Sequence, residues 1–261
     1  CDSTPHIIRF YAAINTGAIT PGIAREFLVS ESEKLARHKE NYYYEVRERF
    51  NTTLEPLDFL FLNRSCFNGV IRFNSQGKFN VPFGHKPERF SKAYITKIVN
   101  QIEFVYKKAQ LSDWTFLCQD FRKTLSADIK EHDFVYCDPP YVGRHVDYFN
   151  GWGEQEEHDL YQLLKRCPAR FILSTWHHNQ YRQNPYIETL WSEFHILTRE
   201  HFYHVGAKET NRNPMVEALV MNFSPHVLQK HPEIKHEQIV LLERQLDYTI
   251  ECANKPVMPD L

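Results

Sequence analysis

The sequence predicts an α/β fold with a helical and hairpin segment inserted before the sheet, on three observations. The second half of the 261-residue chain alternates short apolar runs with helical patterns, as a layered sheet does. One run, Phe134-Val135-Tyr136-Cys137, ends in Asp138-Pro139-Pro140-Tyr141, at the carboxyl end of a strand where open α/β sheets bind ligands. A Lys- and Arg-rich stretch with a hairpin pattern precedes it.

In chain order, Ile7, Ile8, Phe10, Tyr11 and Ile14 fall at helical spacing. Residues 24–35 and 42–50 continue as helices, the latter with Arg and Glu interleaved. Residues 57–62 are apolar enough for a buried helical turn or a strand. Phe67 to Asn74 and Phe79 to Phe83 flank the turn Ser75-Gln76-Gly77-Lys78, a hairpin signature. Helical spacing returns over 93–105. Strands are expected at 115–118, 134–137, 170–175, 194–198 and 217–222. A helix from Glu154 to Arg166 has acids at its start and Lys165-Arg166 at its end, as the macrodipole favours. A last amphipathic helix is expected over 233–253, as packing cover.

Composition is that of a soluble globular protein, 42% apolar and 25% charged, with no run approaching the ~18 apolar residues of a membrane span. The six cysteines (Cys1, Cys66, Cys118, Cys137, Cys167, Cys252) form no C-x-x-C pair, which argues against a zinc ribbon or disulfide framework and fits a reducing, cytoplasmic setting. Net charge is only -2, yet residues 64–124 hold eleven Lys or Arg against four acids, so the remainder carries -9. A basic segment on an acidic body suits a nucleic-acid-facing insert. His177-His178 and His201-x-x-His204, with His145, invite a metal reading. Adjacent strand residues point opposite ways and no acid or cysteine completes a ligand set, so no metal is expected.

The prolines after Asp138 end the strand ladder and hold the next carbonyls in fixed directions. An acid, stiff carbonyls and an aromatic face therefore emerge together, a set suited to chemistry on an amino group attached to a flat ring. Trp176-His177-His178, after the strand at 170–175, is a further candidate lining for a base pocket.

Taken together, Asn63-Arg64-Ser65-Cys66-Phe67-Asn68-Gly69 with Arg72 and Asn74, then Gly77-Lys78-Phe79-Asn80-Val81-Pro82-Phe83-Gly84, Cys118-Gln119-Asp120-Phe121, the Asp138–Tyr141 motif and the stretch 143–150 resemble the Dam-type (D12 class) DNA adenine-N6 methyltransferases. The resemblance is nearest to the modification methylases of EcoRV type and runs from Asp2 to about Asn222. It implies a Rossmann-like methyltransferase sheet, S-adenosylmethionine as cofactor, and double-stranded DNA with a short specific site as partner. It gives no oligomeric state. The implied division is 1–8 as the end of the cofactor domain's second strand, 9–112 as target recognition, 113–223 as catalytic domain and 224–261 as a helical extension.

The resemblance implies that Asp138 and the Pro139 carbonyl accept the two N6 hydrogens of a base rotated out of the duplex, with Pro140 fixing the loop and Tyr141 offering a π face. Asp2 would bond the ribose hydroxyls of the cofactor; Asp120 and Phe121 would meet its adenine, and Asp138 would lie beside it. Phe67 and Asn68 would wedge into the base stack, and Arg72 would read a guanine edge. Arg64, Lys78, Lys86 and Arg89 would contact phosphates, while Asn80 reads a base or stabilises the turn. Amino methylation needs no thiol nucleophile, so Cys137 reads as core.

The family's opening lysine and Phe-x-Gly-x-Gly turn do not occur here. The expectation is therefore a sheet incomplete at its amino-terminal side, in a carboxy-proximal part of a longer enzyme that binds cofactor weakly. The same departure leaves a catalytically incompetent DNA-binding fragment as the alternative to a restriction-modification methyltransferase. N4-cytosine methylation, usually with Ser at position 138, and RNA adenine methylation, usually with Asn, are rival chemistries.

Overall fold

Three helices that each begin at a proline open the chain: α1 (Pro5–Asn15), α2 (Pro21–Thr53) and α3 (Pro56–Ser65). At the first helical position proline loses no hydrogen bond, because that N–H has no intrahelical acceptor. The computed structural model describes residues 1–142, 151–202 and 214–224. The motif stretch 143–150, His145, His204, Cys252 and the expected helix over 233–253 lie outside the described residues.

The two helices expected over 24–50 are both present, as the two limbs of α2, which meet at a kink where Lys39 leaves helical geometry at φ 50° and ψ -127°. A charge network joins its limbs. Glu31, 3% exposed, accepts from Lys34 (2.7 Å), Tyr42 (2.7 Å) and Arg49 (3.2 Å), and Arg49 also pairs with Asp58 of α3. Burial pushes the Glu31 carboxyl up, but the donors from Lys34, Tyr42 and Arg49 outweigh it and hold the group below its ordinary value. The ambiguous run 57–62 is helical, with Phe59, Phe61 and Leu62 buried. Helix α4 (Lys92–Gln110) buries Ile95, Val99 and Ile102 along one face. Leu28, Tyr43, Val46, Phe50, Phe61 and Leu62 form the core of this layer.

Residues 66–83 turn back as expected, but as a loose hairpin: only Cys66 with Phe83 and Phe73 with Phe79 form bridges. The reason lies in what replaces the ladder. Asn51 of α2 binds both backbone groups of Phe79 (2.7 and 3.1 Å), Tyr43 donates to the Val81 carbonyl (2.6 Å), and Phe79 and Val81 are buried. A strand that spends its groups on a helix cannot also pair regularly. Gly84 closes the base: a Cβ there would come within 2.5 Å of the Cys66 carbonyl oxygen.

The second layer is a four-stranded sheet in the order β1-β2-β4-β3, from β1 (Phe134–Cys137), β2 (Arg170–Asn179), β3 (His195–Phe202) and β4 (Pro214–Met221). β1 and β2 are parallel; β4 runs antiparallel to β2 and β3. The short helix α5 (Phe121–Leu125) precedes β1. Helix α6 (Glu154–Arg166) crosses between β1 and β2, and α7 (Pro185–Thr189) lies between β2 and β3. Leu160, Leu164, Phe171, Leu173, Trp191, Ala218 and Val220 make its core.

One expected strand is corrected. Residues 115–118 make a single parallel bridge between Cys118 and Asp2, because among the described residues Asp2 alone offers them backbone groups. Strand propensity without a neighbour gives extended chain, not a strand. From Pro5 onward, residues expected within the strand end at 1–8 are helical. No described helix is long and apolar enough to cross a membrane.

The Glu31 network makes a pH prediction. A carboxylate held below its ordinary value stabilises the fold fully above that value, and the contribution fades as pH falls through the lower, folded one. Glu31→Gln should lower the melting temperature at neutral pH, with the deficit shrinking on acidification below about pH 4. Urea or thermal unfolding across pH would read it, and a pH-independent deficit would contradict the assignment.

Candidate active site

Residue by residue, the parallel pairing of β1 with β2 runs from Phe134 and Arg170 to Cys137 and Leu173, then stops. Pro139 and Pro140 have no N–H to continue it. Asp138, Pro139, Pro140 and Tyr141 therefore leave the sheet at its carboxyl end, into a cleft of about 1340 Å³. Asp2, Asp120 and Phe121, from segments more than 100 residues apart in the case of Asp2 and Asp120, line the same cleft. The structure thus brings together all seven residues expected at the catalytic and cofactor positions.

Electrostatically the cleft is acidic. Asp2, Asp120, Asp133, Asp138 and Glu156 line it, against Arg122 and a histidine, His6. Partial burial, with the Glu217 carboxylate adding to it, raises the Asp138 carboxyl above the usual aspartate range. Glu217 also accepts from the Tyr141 hydroxyl at 3.2 Å. The buried Trp176 donates its indole N–H to the Val142 carbonyl at 3.0 Å.

Asp120 caps α5, accepting from the Arg122 N–H at 2.8 Å and pairing with its guanidinium at 3.1 Å. Arg122 in turn binds Asp159 (2.6 Å) and Glu156 (3.4 Å), tying α5 to α6. Phe121 packs against Trp152 with ring centres 5.2 Å apart. Trp152 is fixed by Glu157, a buried carboxylate that also accepts from the Trp191 indole (2.8 and 2.9 Å). Asp2 bends back to accept from the Thr4 N–H at 2.6 Å.

Of the residues expected at DNA, none lines the cleft, but the hairpin tip does, through Phe73 and Gly77. Phe73 stacks on His6, centres 4.5 Å apart and 24° between planes. Phe67 is 53% exposed beside Asn68, which adopts the left-handed conformation at φ 52°. Arg72 donates from Nε to the Asn80 side-chain oxygen at 3.0 Å. Lys78 and Lys86 are exposed. Arg64 and Arg89 are half-buried and hold the hairpin base: Arg64 donates to the Arg89 carbonyl (2.9 Å) and covers the Tyr94 ring, and Arg89 donates to the Cys66 carbonyl (3.0 Å).

Trp176-His177-His178 is corrected on two counts. None of the three lines the cleft, since Trp176 is buried beneath the loop. The histidines do not point apart: an irregularity between Trp176 and His178 brings their Nδ1 atoms to 2.9 Å. Sequence reasoning also missed His6, Trp152 and Glu217. Only Glu217 left a signal, as a lone acid in the apolar run Pro214–Met221.

Comparison with known proteins agrees with this geometry. The family description "D12 class N6 adenine-specific DNA methyltransferase" matches residues 1–205. The type II methyltransferase M.FokI of Planomicrobium okeanokoites is 28% identical over 203 residues, 74% of this chain and 31% of the relative. A DNA adenine methylase of Haemophilus influenzae is 42% identical over 106 residues, 39% and 34% of the two chains. The retron Ec67 DNA adenine methylase of Escherichia coli is 33% identical over 174 residues, 63% and 55%. The chain thus spans about a third to a half of these relatives' length.

Burial pushes the Cys137 thiol up to about 11, beside the acid motif but unsuited to act as a thiolate. Cys66 is raised to about 11 by the same cause. At about pH 8, iodoacetamide should label exposed Cys1 and Cys118 well before Cys137 and Cys66, read by peptide mass mapping. Labelling of Cys137 as fast as Cys118 would contradict this account.

Proposed function

The chain belongs to the D12 class N6 adenine-specific DNA methyltransferase family, and on that premise we propose that it serves site-specific methylation of adenine N6 in double-stranded DNA. The observation that carries the reading is the single cleft shared by Asp138–Tyr141, Asp2, Asp120 and Phe121. Relatives named type II methyltransferases support a place in a restriction-modification system.

The chemistry sets the requirements. The N6 lone pair of adenine is delocalised into the ring, so methylation needs the nitrogen drawn toward tetrahedral geometry. The Asp138 carboxylate accepts one N6 hydrogen and the Pro139 carbonyl the other. Both acceptors strengthen as positive charge grows on nitrogen, which favours the transition state over the ground state. Pro140 holds the loop, and Tyr141 gives the flipped base a face to stack on.

The lining also fits S-adenosylmethionine, which when bound supplies an activated methyl group on a sulfonium cation. Five carboxylates suit a cationic cofactor and repel DNA phosphates from the same space. Asp2 would bond the ribose diol through Oδ2, since Oδ1 already accepts from Thr4. Asp120 and the Phe121 ring would hold the adenine, Trp152 backing Phe121.

We assign 9–112 to target recognition and 113–223 to the catalytic unit. The hairpin supports this, presenting polar and apolar groups beside the cleft. Phe67 and Asn68 are the exposed wedge. Arg72 is the guanine reader, with Asn80 accepting from its Nε. Lys78 and Lys86 are phosphate contacts; Arg64 and Arg89 join them from the hairpin base.

Asp138→Ala should abolish label transfer from S-adenosylmethionine to duplex DNA while DNA binding persists. Intact turnover in that variant would overturn the role. As the ionised Asp138 carboxylate is the stronger acceptor and alone offsets charge growing on nitrogen, the rate should fall on acidification through a value above that of an ordinary aspartate. Arg72→Ala should cost about 1–3 kcal/mol of discrimination at one base position. A uniform loss across sequences would make it a phosphate contact.

A further inference from the structure

The loop after β1 has a holding problem. Its prolines have no N–H, so it cannot be fixed by extending the sheet, yet the proposed reaction needs its acceptors placed to a fraction of an ångström. Two side chains from neighbouring strands take that task. Trp176 of β2 holds the Val142 main chain at 3.0 Å, and Glu217 of β4 holds the Tyr141 hydroxyl at 3.2 Å. Trp176 and Glu217 are register partners across β2 and β4. Asn184, 1% exposed, secures the Trp176 end by donating to its carbonyl at 2.9 Å.

We propose that Glu217 is a positioning residue of the reaction centre, fixing the Tyr141 ring against which the target base stacks. Glu217 is a half-buried acid in the otherwise apolar strand Pro214–Met221, a position that an apolar residue would fill without needing a polar partner. Fixing Tyr141 requires an acceptor there, and the acceptor's charge also reaches Asp138. Among the described residues, the charged and titratable groups near it include Asp138 and Tyr141 from the β1 loop, Arg199 opposite it on β3, and His177 and His178 at the β2 irregularity.

The inference rests on the proposed adenine methylation, and the experiment separates the two. Single-turnover methylation is followed against pH for wild type, Glu217→Gln, Glu217→Ala, Tyr141→Phe and Asp138→Ala, with 2-aminopurine at the target position reporting base stacking. Melting temperatures identify any variant that fails to fold; the near-isosteric Gln variant keeps an acceptor for Tyr141 and carries the test alone in that case. Glu217→Gln should keep the wild-type 2-aminopurine signal and move the acidic limb of the rate to lower pH, because loss of the neighbouring charge eases ionisation of Asp138. Glu217→Ala should lower the rate by about tenfold to a hundredfold and change the fluorescence. Tyr141→Phe should change the fluorescence without moving the limb. Wild-type limb and wild-type fluorescence in both Glu217 variants, with Asp138→Ala inactive, overturn the inference and leave the reaction standing. An active Asp138→Ala overturns the reaction itself.

Discussion

The in-register parallel pairing of β1 with β2 decides where the chemistry-bearing residues can stand. Four residue pairs carry β1 to Cys137, and the prolines that follow end the ladder with Asp138 just past the sheet. Pro139 and Pro140 cannot donate to the ladder, and their rings fix φ, which restricts how the loop can run past Asp138. A one-residue slip would turn Asp138 toward the opposite face and remove it from the cleft. The core beneath, with Phe171, Leu173, Leu160 and Leu164 fully buried, makes that slip costly.

Around this tip the molecule divides its charges by task. The cleft is lined by carboxylates, suited to a cation, while the exposed lysines Lys78 and Lys86 belong to the hairpin region. Such a partition would keep a polyanion and a cationic ligand from competing for one surface. The hairpin tip reaches the cleft through Phe73 and Gly77, so the hairpin and the β1 tip share a wall. His6 links them, stacked on Phe73 at the start of α1, its imidazole held below the ordinary histidine range first by burial and then by Arg9.

The parts of the fold legible in the sequence were those set by local pattern. β1 and α6 fall at their expected residues, 134–137 and 154–166, because an apolar run stopped by prolines and an acid-to-base helix are self-contained signals. The seven cleft residues were legible through motifs. What local pattern does not contain was missed. The loose hairpin depends on Asn51 and Tyr43, from a helix about 30 residues away, and the strand expected at 115–118 finds only Asp2 beside it among the described residues. Glu217 meets Tyr141 across 76 residues, and the His177–His178 contact depends on an irregularity with no local signature.

The central claim is that the acid and proline carbonyl at the β1 tip receive the amino group of an extrahelical adenine. A crystal structure of the protein with duplex substrate and a non-reactive cofactor analogue tests it most directly. The account predicts the target adenine outside the helix, its N6 within hydrogen-bonding distance of both the Asp138 carboxylate and the Pro139 carbonyl, its ring against Tyr141. A bound duplex with that adenine still stacked, or extruded to a place away from Asp138, would contradict it.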